Sequence, residues 1–508
     1  MSSFLDFNED TLEQASLEIL QSLGYDYIHG KELSPSAEFP ERESYRDVIL
    51  KERVRNALFS INKGFPNDAL EQAFRQIIAF NSPSLEENNR YFHNLMVNGI
   101  DVSFKEDGNI RTKKAYIIDF ENPNNNEFLA VNQFTVVGNE NKRPDIVIFV
   151  NGIPLVVIEL KNASDENVGI EEAYNQIQTY KKDIQALFNY NAFCVLSDGV
   201  NAKVGTITSN IERYMNWRTV DGEDVAPLTM PQYDVLISGI FPKERLLDII
   251  QNFILFQNDS KDIKDADGNK IGESQVTIKI LAGYHQYFAV KKAVEKTRIS
   301  TAENGDRKIG VIWHTQGSGK SFSMVFYSRN LIKEFNNPTI VVLTDRNDLD
   351  EQLFSTFSKS KDFLGEEPKR ADKRILSEED KLANVSSKDN SKAKYGLFDL
   401  LNGRESGGII FTTIQKFKPE DGEMPVLTDR KNVIVIADEA HRSQYGLDAE
   451  TSSEGDIKYG YAKYLRDALP NASFIGFTGT PIEFEDKSTP MVFGQYIDIY
   501  DRLCGTAP

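Results

Sequence analysis

The stretch TQGSGKS at residues 315–321 constrains the fold more than any other part of the 508-residue sequence. It follows the apolar residues Val311–Trp313, which predict a buried strand, and it opens a segment that has the helical spacing of apolar side chains. A glycine-rich loop between a strand and a helix can wrap its backbone N–H groups around phosphate oxygens, and the helix N-terminus favours the same anion. The sequence therefore predicts a phosphate-binding loop at the edge of an α/β sheet.

The residue types in this loop match the chemistry of a bound nucleotide. Lys320 is expected to reach the β- and γ-phosphates, and the Ser321 hydroxyl is expected to bind Mg²⁺. His314 stands where the simplest form of the motif has its first glycine, so the loop fits the helicase form better than the strict pattern. Taken alone, GSGKS could also be an ordinary glycine-rich turn. The candidate nucleotide-binding residues of the loop are Thr315, Gly317, Ser318, Gly319, Lys320 and Ser321.

A pair of carboxylates supports the nucleotide interpretation. Asp438 and Glu439 directly follow the apolar run Val433–Ala437, which predicts a strand buried on both faces. Ligands of open α/β sheets bind beyond the carboxyl ends of the strands, where these two side chains would lie. Asp438 is predicted to hold the Mg²⁺ and Glu439 to polarise the attacking water. Both elements in the right order, each at a strand end, predict an ATP-hydrolysing site.

Two regions with different patterns predict two domains. Helical spacing and then strands predict a mixed-sheet α/β domain over residues 1–257. The polar stretch 258–275, rich in Gly and Asp, predicts an inter-domain linker. From 276 to 508, apolar runs alternate with helices, as in a parallel sheet covered on both faces. Inside this second region, the charged segment 365–396 predicts a mobile loop.

The first region carries its own set of chemistry-bearing residues. Asp145 follows Arg143-Pro144, and Glu159 and Lys161 stand at the end of a long apolar run. Two carboxylates can hold Mg²⁺, which activates water and neutralises charge on a phosphodiester, and a lysine can stabilise that charge or orient the water. The set predicts a nuclease site with Asp145 and Glu159 as metal ligands. A solvated strand end with an ion pair accounts equally well for these three residues alone.

The hairpin signal Asn151-Gly152 raises a geometric difficulty for this site. A two-residue turn would pair Asp145 with Ile158 and put Asp145 and Glu159 on opposite faces of the sheet. We therefore predict a longer loop, a β-bulge, or a bend that brings Asp145 in at the strand entrance. Carboxylates on opposite sides of the sheet would remove the nuclease interpretation.

Two further positions are candidates for accessory roles in the nuclease site. Gln176 and Tyr180 lie four residues apart, so they share one face of a predicted helix. We expect them to contact DNA or to steady the metal site, although a Gln–Tyr pair at this spacing is also common on a helix surface. An upstream acid, with Glu71 or Glu87 as candidates, would complete the metal site.

The motifs resemble those of two known families. The Asp145, Glu159 and Lys161 set, with its Gln-xxx-Tyr element, resembles the PD-(D/E)xK nuclease core. The loop and the acidic pair resemble superfamily 2 helicases and translocases. That second resemblance implies an adenine-sensing role for Gln286. For the last motif of the set, Thr478-Gly479-Thr480, a simple Gly-Thr turn is the alternative explanation. The same resemblance further implies DNA-backbone and coupling roles for Thr344, Arg346, Thr412, Thr413, Thr478 and Thr480.

A nuclease core followed by such a motor resembles the R subunit of type I restriction–modification enzymes, from LEILQSLGYDYIHG through VFGQYIDIY. The resemblance implies a restriction-endonuclease-like mixed sheet followed by a RecA-like P-loop domain. It implies ATP and Mg²⁺ as cofactors, double-stranded DNA as substrate, and specificity and methyltransferase subunits as partners. It also implies ATP-dependent DNA translocation and cleavage remote from the recognition site.

The family's motor has two RecA-like halves, and this sequence stops at Pro508, shortly after Thr480-Pro481. We expect the second half with its arginine finger, and the helical C-terminal region, to be absent. A polypeptide of these residues alone is then expected to show little ATPase and no translocation. The alternatives are another helicase–nuclease of repair or defence, and a truncated non-catalytic module that binds DNA or the complex. The threonine motifs disfavour a signalling or metabolic ATPase.

Composition restricts the remaining function classes. The net charge of −19 suggests that the chain alone binds DNA weakly and needs a DNA-reading partner. Two cysteines, Cys194 and Cys504, do not make a disulfide framework. The sequence has no apolar run long enough to cross a bilayer, and its start lacks the pattern of a signal peptide. These features favour the cytoplasm.

Overall fold

The computed structural model describes residues 9–161, 169–264, 269–344, 347–375, 396–417, 424–440, 449–451, 457–459, 461–480 and 488–501. The chain divides into two compact units, Met1–Tyr284 and His285–Pro508. The division falls later than the predicted boundary near residue 257, because the hairpin that contains this residue and ends at Leu281 belongs to the first unit.

The first unit is an α/β unit in which helices accompany a mixed sheet. Its helices are α1 (Glu9–Ser22), α2 (Lys51–Ile61), α3 (Asn67–Ile78), α4 (Leu85–Asn98), α5 (Ile170–Asp183), α6 (Gln185–Phe188), α7 (Gln232–Ile240) and α8 (Lys243–Asn252). Its strands are β1 (Asp26–His29), β2 (Ile100–Glu106), β3 (Asn109–Ala115), β4 (Phe128–Asn132), β5 (Val136–Val137), β6 (Asn141–Lys142), β7 (Ile146–Val150), β8 (Ile153–Leu160), β9 (Phe193–Ser197), β10 (Ala202–Gly205), β11 (Ile254–Lys264) and β12 (Lys270–Leu281).

The main sheet of this unit has six strands in the order β1-β4-β7-β8-β9-β10. Strand β1 pairs in parallel with β4, and β8 pairs in parallel with β9, while the other neighbours are antiparallel. All of β8 is buried, as expected of the continuous apolar run IPLVVIEL, and both α1 and α5 pack against it. The predicted mixed sheet is confirmed, and Cys194 is a core residue within it.

The segment predicted as a linker is instead structured where it is described. Strands β11 and β12 form a long antiparallel hairpin that includes residues 258–264 and 270–275. The linker prediction was therefore wrong for these residues. A two-stranded ribbon satisfies its backbone hydrogen bonds by pairing and need not bury an apolar face, so its composition can be as polar as that of a linker.

The second unit contains a larger parallel sheet. Its helices are α9 (Tyr284–Ser300, which begins at the division), α10 (Lys320–Glu334), α11 (Asn347–Lys359), α12 (Lys361–Leu364), α13 (Leu397–Asn402), α14 (Tyr461–Ala468) and α15 (Ser488–Phe493). Its strands are β13 (Lys308–His314), β14 (Thr339–Thr344), β15 (Lys369–Arg370), β16 (Ile409–Thr413), β17 (Val433–Asp438), β18 (Ala449–Thr451), β19 (Ile457–Tyr459), β20 (Ser473–Thr478) and β21 (Tyr496–Tyr500).

Seven of these strands form one sheet in the order β15-β16-β14-β17-β20-β13-β21, and every pair in it is parallel. Strands β14, β16, β17 and β20 are buried along almost their whole length, which explains their uninterrupted apolar sequences. The predicted parallel P-loop sheet is confirmed. Of the predicted loop 365–396, the residues Lys369–Arg370 form β15, and residues 376–395 lie outside the described part of the chain.

Candidate functional site

The register between β7 and β8 decides whether the two nuclease carboxylates can meet. The strands pair Ile146 with Ile158 and Ile148 with Val156, and a β-bulge follows between Ile148 and Phe149. This one-residue shift puts Asp145, which directly precedes β7, alongside Glu159 rather than Ile158. Side chains at aligned positions share a face of the sheet. Of the three arrangements that the sequence left open, the structure shows the β-bulge.

The three predicted nuclease residues form one contact cluster. Lys161 Nζ donates to Glu159 Oε1 at 2.7 Å. The backbone N–H of Leu160 donates to Asp145 Oδ2 at 2.7 Å, which holds this carboxylate against the end of β8. Glu159 is 1% exposed and Asp145 is 9% exposed, so the acidic pair lies almost out of contact with water.

Burial shifts the pKa of both acids upward, and nearby negative charges add to each shift. Burial raises the pKa of Asp145 to about 7, and the nearby charges of Glu9 and Glu13 add to the rise. Burial and then the charge of Asp145 raise the pKa of Glu159 to about 8. Lys161 partly offsets both shifts. A divalent cation between the two carboxylates would remove their repulsion, because opposite charge favours the ionised form.

The hydrogen bonding of one buried carboxylate oxygen indicates whether this acidic pair can bind a metal ion. Oxygen Oε2 of Glu159 is buried and has no hydrogen-bond partner among the described residues. Carboxylate oxygens are the preferred protein ligands of Mg²⁺, so the donor set fits such an ion. In the described part of the chain, no group of three or more His, Cys, Asp or Glu side chains is arranged to hold a metal ion.

The Gln-xxx-Tyr element of α5 reaches the same place. Tyr180 is buried, and its hydroxyl donates to the backbone oxygen of Arg143 at 3.4 Å. Burial raises the pKa of Tyr180, and the charges of Glu159 and Asp145 raise it further. A hydrogen bond from Gln176 acts in the opposite direction on the same hydroxyl. The structure thus brings both accessory candidates to the acidic pair.

Helix α1 supplies two acids that the sequence did not single out. Glu9 Oε1 accepts from Lys161 Nζ at 3.0 Å, and Glu13 accepts from the side chains of Asn132 and Gln133. Glu9 and Glu13 are four residues apart, so they share a helix face, and this spacing was the available signal. The two candidates proposed from the sequence have other partners, since Glu71 pairs with Arg55 and Glu87 accepts from Ser82.

The phosphate loop lies between β13 and α10, as predicted. Gly317 and Gly319 have positive φ angles of 79° and 84°, which glycine adopts without strain. A Cβ atom at Gly319 would lie 2.7 Å from Gln286 Nε2, so a side chain at this position would displace the amide of Gln286. Helix α10 begins at Lys320, so the loop backbone forms its N-terminus. Ser318 Oγ is buried without a hydrogen-bond partner among the described residues, which suits an anion.

Gln286 contacts this loop directly. Its Nε2 donates to the backbone oxygen of Gly319 at 3.0 Å, and the side chain is buried at the start of α9. Lys320 Nζ donates to the backbone oxygen of His314 at 3.2 Å. The adenine-sensing candidate and the lysine predicted to bind phosphate therefore belong to one cluster.

The acidic pair of the second unit ends β17. Asp438 is the last residue of this strand, and Glu439 follows with φ of 52°, in the left-handed region. The backbone N–H of Glu439 donates to Asp438 Oδ1 at 3.0 Å. Such backbone geometry at a non-glycine residue is uncommon and concentrates at functional sites. Strand β17 is separated from β13 only by β20, so the two strand ends lie roughly 10 Å apart.

The threonine motifs lie at the same edge of the sheet. Thr344, Thr413 and Thr478 each end a strand, and Thr344 Oγ1 donates to the backbone oxygen of Thr412 at 3.5 Å. The N–H of Thr480 donates to Thr478 Oγ1 at 3.3 Å. A Cβ atom at Gly479 would lie 2.5 Å from Lys320 Nζ, so this turn borders the phosphate loop. Arg346 lies outside the described residues.

The folds define the class of the chain: a restriction-endonuclease-like mixed-sheet unit followed by a RecA-like P-loop unit. Residues 6–213 match the family model described as the N terminus of type I restriction enzyme R proteins. Residues 285–503 match the SWI2/SNF2 ATPase model. Among the residues that the structure describes, no helix has the length and apolar character needed to cross a membrane.

Two curated proteins match almost the whole chain. It is 42% identical over 502 residues to the type I restriction enzyme HindI endonuclease subunit of Haemophilus influenzae, a match that covers 97% of this chain and 44% of that protein. It is 38% identical over 521 residues to a candidate type I restriction enzyme MjaIXP endonuclease subunit of Methanocaldococcus jannaschii, again over 97% of this chain and 44% of that protein. The resemblance inferred from the motifs is confirmed: the chain is a relative of type I restriction endonuclease subunits and spans less than half of their length.

Proposed function

We propose that the chain forms the nuclease and first motor portion of a type I restriction endonuclease subunit. In this role it cuts double-stranded DNA with Mg²⁺ and uses ATP to move duplex DNA toward a cleavage point remote from the recognition site. The observation that carries the proposal is the bulge between Ile148 and Phe149, which aligns Asp145 with Glu159 beside Lys161. An ion pair at an ordinary strand end gives no reason for two buried carboxylates to share one face.

Each side chain of the proposed nuclease centre has a distinct role. Asp145 and Glu159 would hold the Mg²⁺, which when bound activates water and neutralises charge on the scissile phosphate. Lys161, held at 2.7 Å from Glu159, would stabilise negative charge on the phosphate through its ammonium group. Tyr180 and Gln176 border the acids and would keep Glu159 in place. The burial of the pair excludes water that would otherwise screen these interactions.

The phosphate loop would bind ATP through its backbone and Lys320. Gln286 contacts the loop at Gly319 and would recognise the adenine, so that the base and the phosphates are read by neighbouring groups. Ser321 and Asp438 would hold the Mg²⁺ of the nucleotide, and Glu439 would orient the attacking water. Thr344, Arg346, Thr412 and Thr413 would contact the DNA backbone, and Thr478 and Thr480 would couple hydrolysis to movement.

The net charge of the chain and the names of its relatives both support a role within a complex of several subunits. A net charge of −19 favours DNA binding within a complex rather than by the isolated chain. The matched proteins are named as endonuclease subunits of type I restriction enzymes, which fits specificity and methyltransferase subunits as partners.

The test combines the chain with its methyltransferase and specificity subunits, Mg²⁺, ATP and unmodified duplex DNA. Asp145→Ala should abolish cutting and leave MgATP binding intact, whereas Lys320→Ala should weaken MgATP binding and leave Mg²⁺ binding by the first unit intact. Glu140→Gln is a matched control, because Glu140 is an exposed carboxylate paired with Lys142 at 2.7 Å. Wild-type MgATP binding together with undiminished cutting by Asp145→Ala would contradict the nuclease assignment.

A further inference from the structure

Strand β21 lies beside the strand that leads into the phosphate loop. Its register with β13 shifts between Val311 and Ile312, so that Asp498 aligns with Ile312 and Tyr500 with His314. Gly310 makes room for this shift, because a Cβ atom there would collide with Ile497. Aligned residues share a face, as do residues two apart in a strand. The shift therefore places Asp498 and Tyr500 on the face of His314.

His314, the residue that replaces the expected glycine, links Asp498 to the loop. Its fully buried ring has Nε2 at 2.9 Å from Asp498 Oδ2, and because a carboxylate only accepts, Nε2 donates. Lys292 Nζ lies 3.5 Å from the other oxygen, Oδ1. The backbone oxygen of His314 accepts from Lys320 Nζ at 3.2 Å. A glycine at this position would have no side chain to make the link to Asp498.

Tyr500 contacts one end of the glycine-rich turn directly and the other end through His285. Its backbone oxygen accepts from the N–H of Thr315 at 3.1 Å. Its ring stacks on His285 with centroids 4.1 Å apart and planes 9° apart, and His285 Nε2 donates to the backbone oxygen of Ser318 at 2.9 Å. Burial lowers the pKa of His285 to about 4, so the imidazole is neutral near pH 7 and its proton lies on the nitrogen that faces Ser318.

We propose that Asp498 and Tyr500 are positioning residues for the nucleotide, which hold the phosphate loop in its binding conformation through His314 and His285. The inference rests on the proposed function, because it assumes that the loop binds ATP. A loop that is already ordered loses less conformational entropy when its ligand binds. Removing these contacts should therefore weaken nucleotide binding, although neither side chain is assigned a contact with ATP.

The dissociation constant of MgATP for the whole chain tests this inference by titration calorimetry. Asp498→Ala should raise Kd about tenfold, and Asp498→Asn about threefold, because the amide oxygen still accepts from His314. Tyr500→Ala should raise Kd about fivefold, while Tyr500→Phe keeps the stacked ring and should stay within about twofold. Asp467→Asn is the matched control, because Asp467 is a half-exposed carboxylate paired with Lys463 on α14.

Hydrogen exchange followed by mass spectrometry separates positioning from a general loss of stability. Asp498→Asn and Tyr500→Ala should speed exchange in residues 314–321 and leave the central strand β14 protected. Faster exchange in β14 as well, or an unchanged Kd in both variants, would overturn the inference. If Asp498→Ala does not fold, these two variants still decide it. A wild-type chain that binds no MgATP would contradict the proposed function instead, and the exchange comparison would still show whether β21 holds the loop.

Discussion

The two candidate centres lie on sheets of different kinds, yet each depends on a one-residue shift between neighbouring strands. In the antiparallel pair β7–β8, the bulge near Ile148 aligns Asp145 with Glu159. In the parallel pair β13–β21, the shift near Val311 aligns Tyr500 with His314. A one-residue shift moves every side chain beyond it to the other face of the sheet. In the first unit the proposed metal ligands, and in the second unit the residues that support the phosphate loop, meet because regular pairing is interrupted close to them.

The two centres differ in the sign of the charge that would stabilise them. The nuclease centre contains two buried carboxylates. Burial, and then the charge of Asp145, raises the pKa of Glu159 to about 8, so an added cation stabilises this centre. The phosphate loop instead offers backbone N–H groups at the start of α10 and the ammonium group of Lys320, so an added anion stabilises it. The comparison predicts opposite responses, with Mg²⁺ alone bound by the first unit and nucleotide bound by the second.

The largest effect is expected at the nuclease centre. Glu159→Gln removes one of the two charges that would hold the metal, while the side chain keeps its shape. Losing a residue that hydrogen-bonds to a metal ligand typically costs about 10–100-fold in affinity, so losing a ligand itself should weaken Mg²⁺ binding by more than about a hundredfold. Cutting by the assembled complex should fall at least as much. Calorimetric Mg²⁺ titration and a plasmid-cleavage assay measure the two quantities.

Glu140→Gln removes an exposed carboxylate from the same unit and should match the wild type in both assays. If Glu159→Gln binds Mg²⁺ as the wild type does, the acidic pair is not a metal site, and the contrast between the two centres disappears.

A smaller effect is expected from Asp438→Asn in the second unit. Asp438 ends β17 and would contact the metal only through the nucleotide complex, so MgATP binding should weaken about tenfold. Binding of ATP in the presence of a chelator should change little. Nucleotide titrations with and without Mg²⁺ check this difference. An equal loss under both conditions would show that Asp438 acts on the fold of the loop and not on the metal.

The sequence singled out candidate residues that the structure brings together at each centre, but it did not show what surrounds them. Asp145, Glu159 and Lys320 could be found because each stands next to a strand end with a recognisable pattern. Glu9 could not be chosen among the 77 acidic residues, since its approach to Lys161 depends on how α1 packs on the sheet. The role of β21 was hidden for the same reason, because nothing local in YIDIY shows a register shift with a distant strand.

The β11–β12 hairpin is a region where the prediction from the sequence, a linker, was wrong. Its sequence is polar over residues 258–275, and the residues of β12 in this part stay exposed or partly exposed, so no buried face was predicted. Composition alone cannot separate a polar ribbon from a linker, because both leave their side chains in water.

The pH dependence of stability follows from the raised pKa values. An acid whose pKa is raised in the folded state binds its proton more tightly there than in the unfolded chain, so the protein loses stability as pH rises from the unfolded pKa to the folded one. For Asp145 that range runs from 3.8 to about 7, and for Glu159 from 4.5 to about 8. Between pH 6 and 8, the wild-type Tm should therefore fall relative to that of Glu159→Gln.

Saturating Mg²⁺ should reduce this fall, because the ion binds the ionised pair and the linkage then favours the folded state. Thermal unfolding followed by circular dichroism at several pH values, with and without Mg²⁺, makes the comparison. A wild-type Tm that rises in parallel with that of Glu159→Gln over this range would show that the pair is already ionised in the fold.

The smallest effect is expected from Glu9→Gln, which tests whether α1 belongs to the metal centre. Glu9 is half-exposed and pairs with Lys161 at 3.0 Å, whereas the buried Glu159 pairs with the same ammonium at 2.7 Å. Exposed ion pairs contribute about 0–1 kcal/mol, so the Tm should change little. Glu9 also raises the pKa of Asp145, so its removal favours the ionised form of Asp145 and should offset any loss of attraction for the metal. Mg²⁺ affinity should therefore stay within about threefold of the wild type. A loss beyond tenfold in the same titration would instead make Glu9 a third ligand and extend the nuclease centre from the sheet to α1.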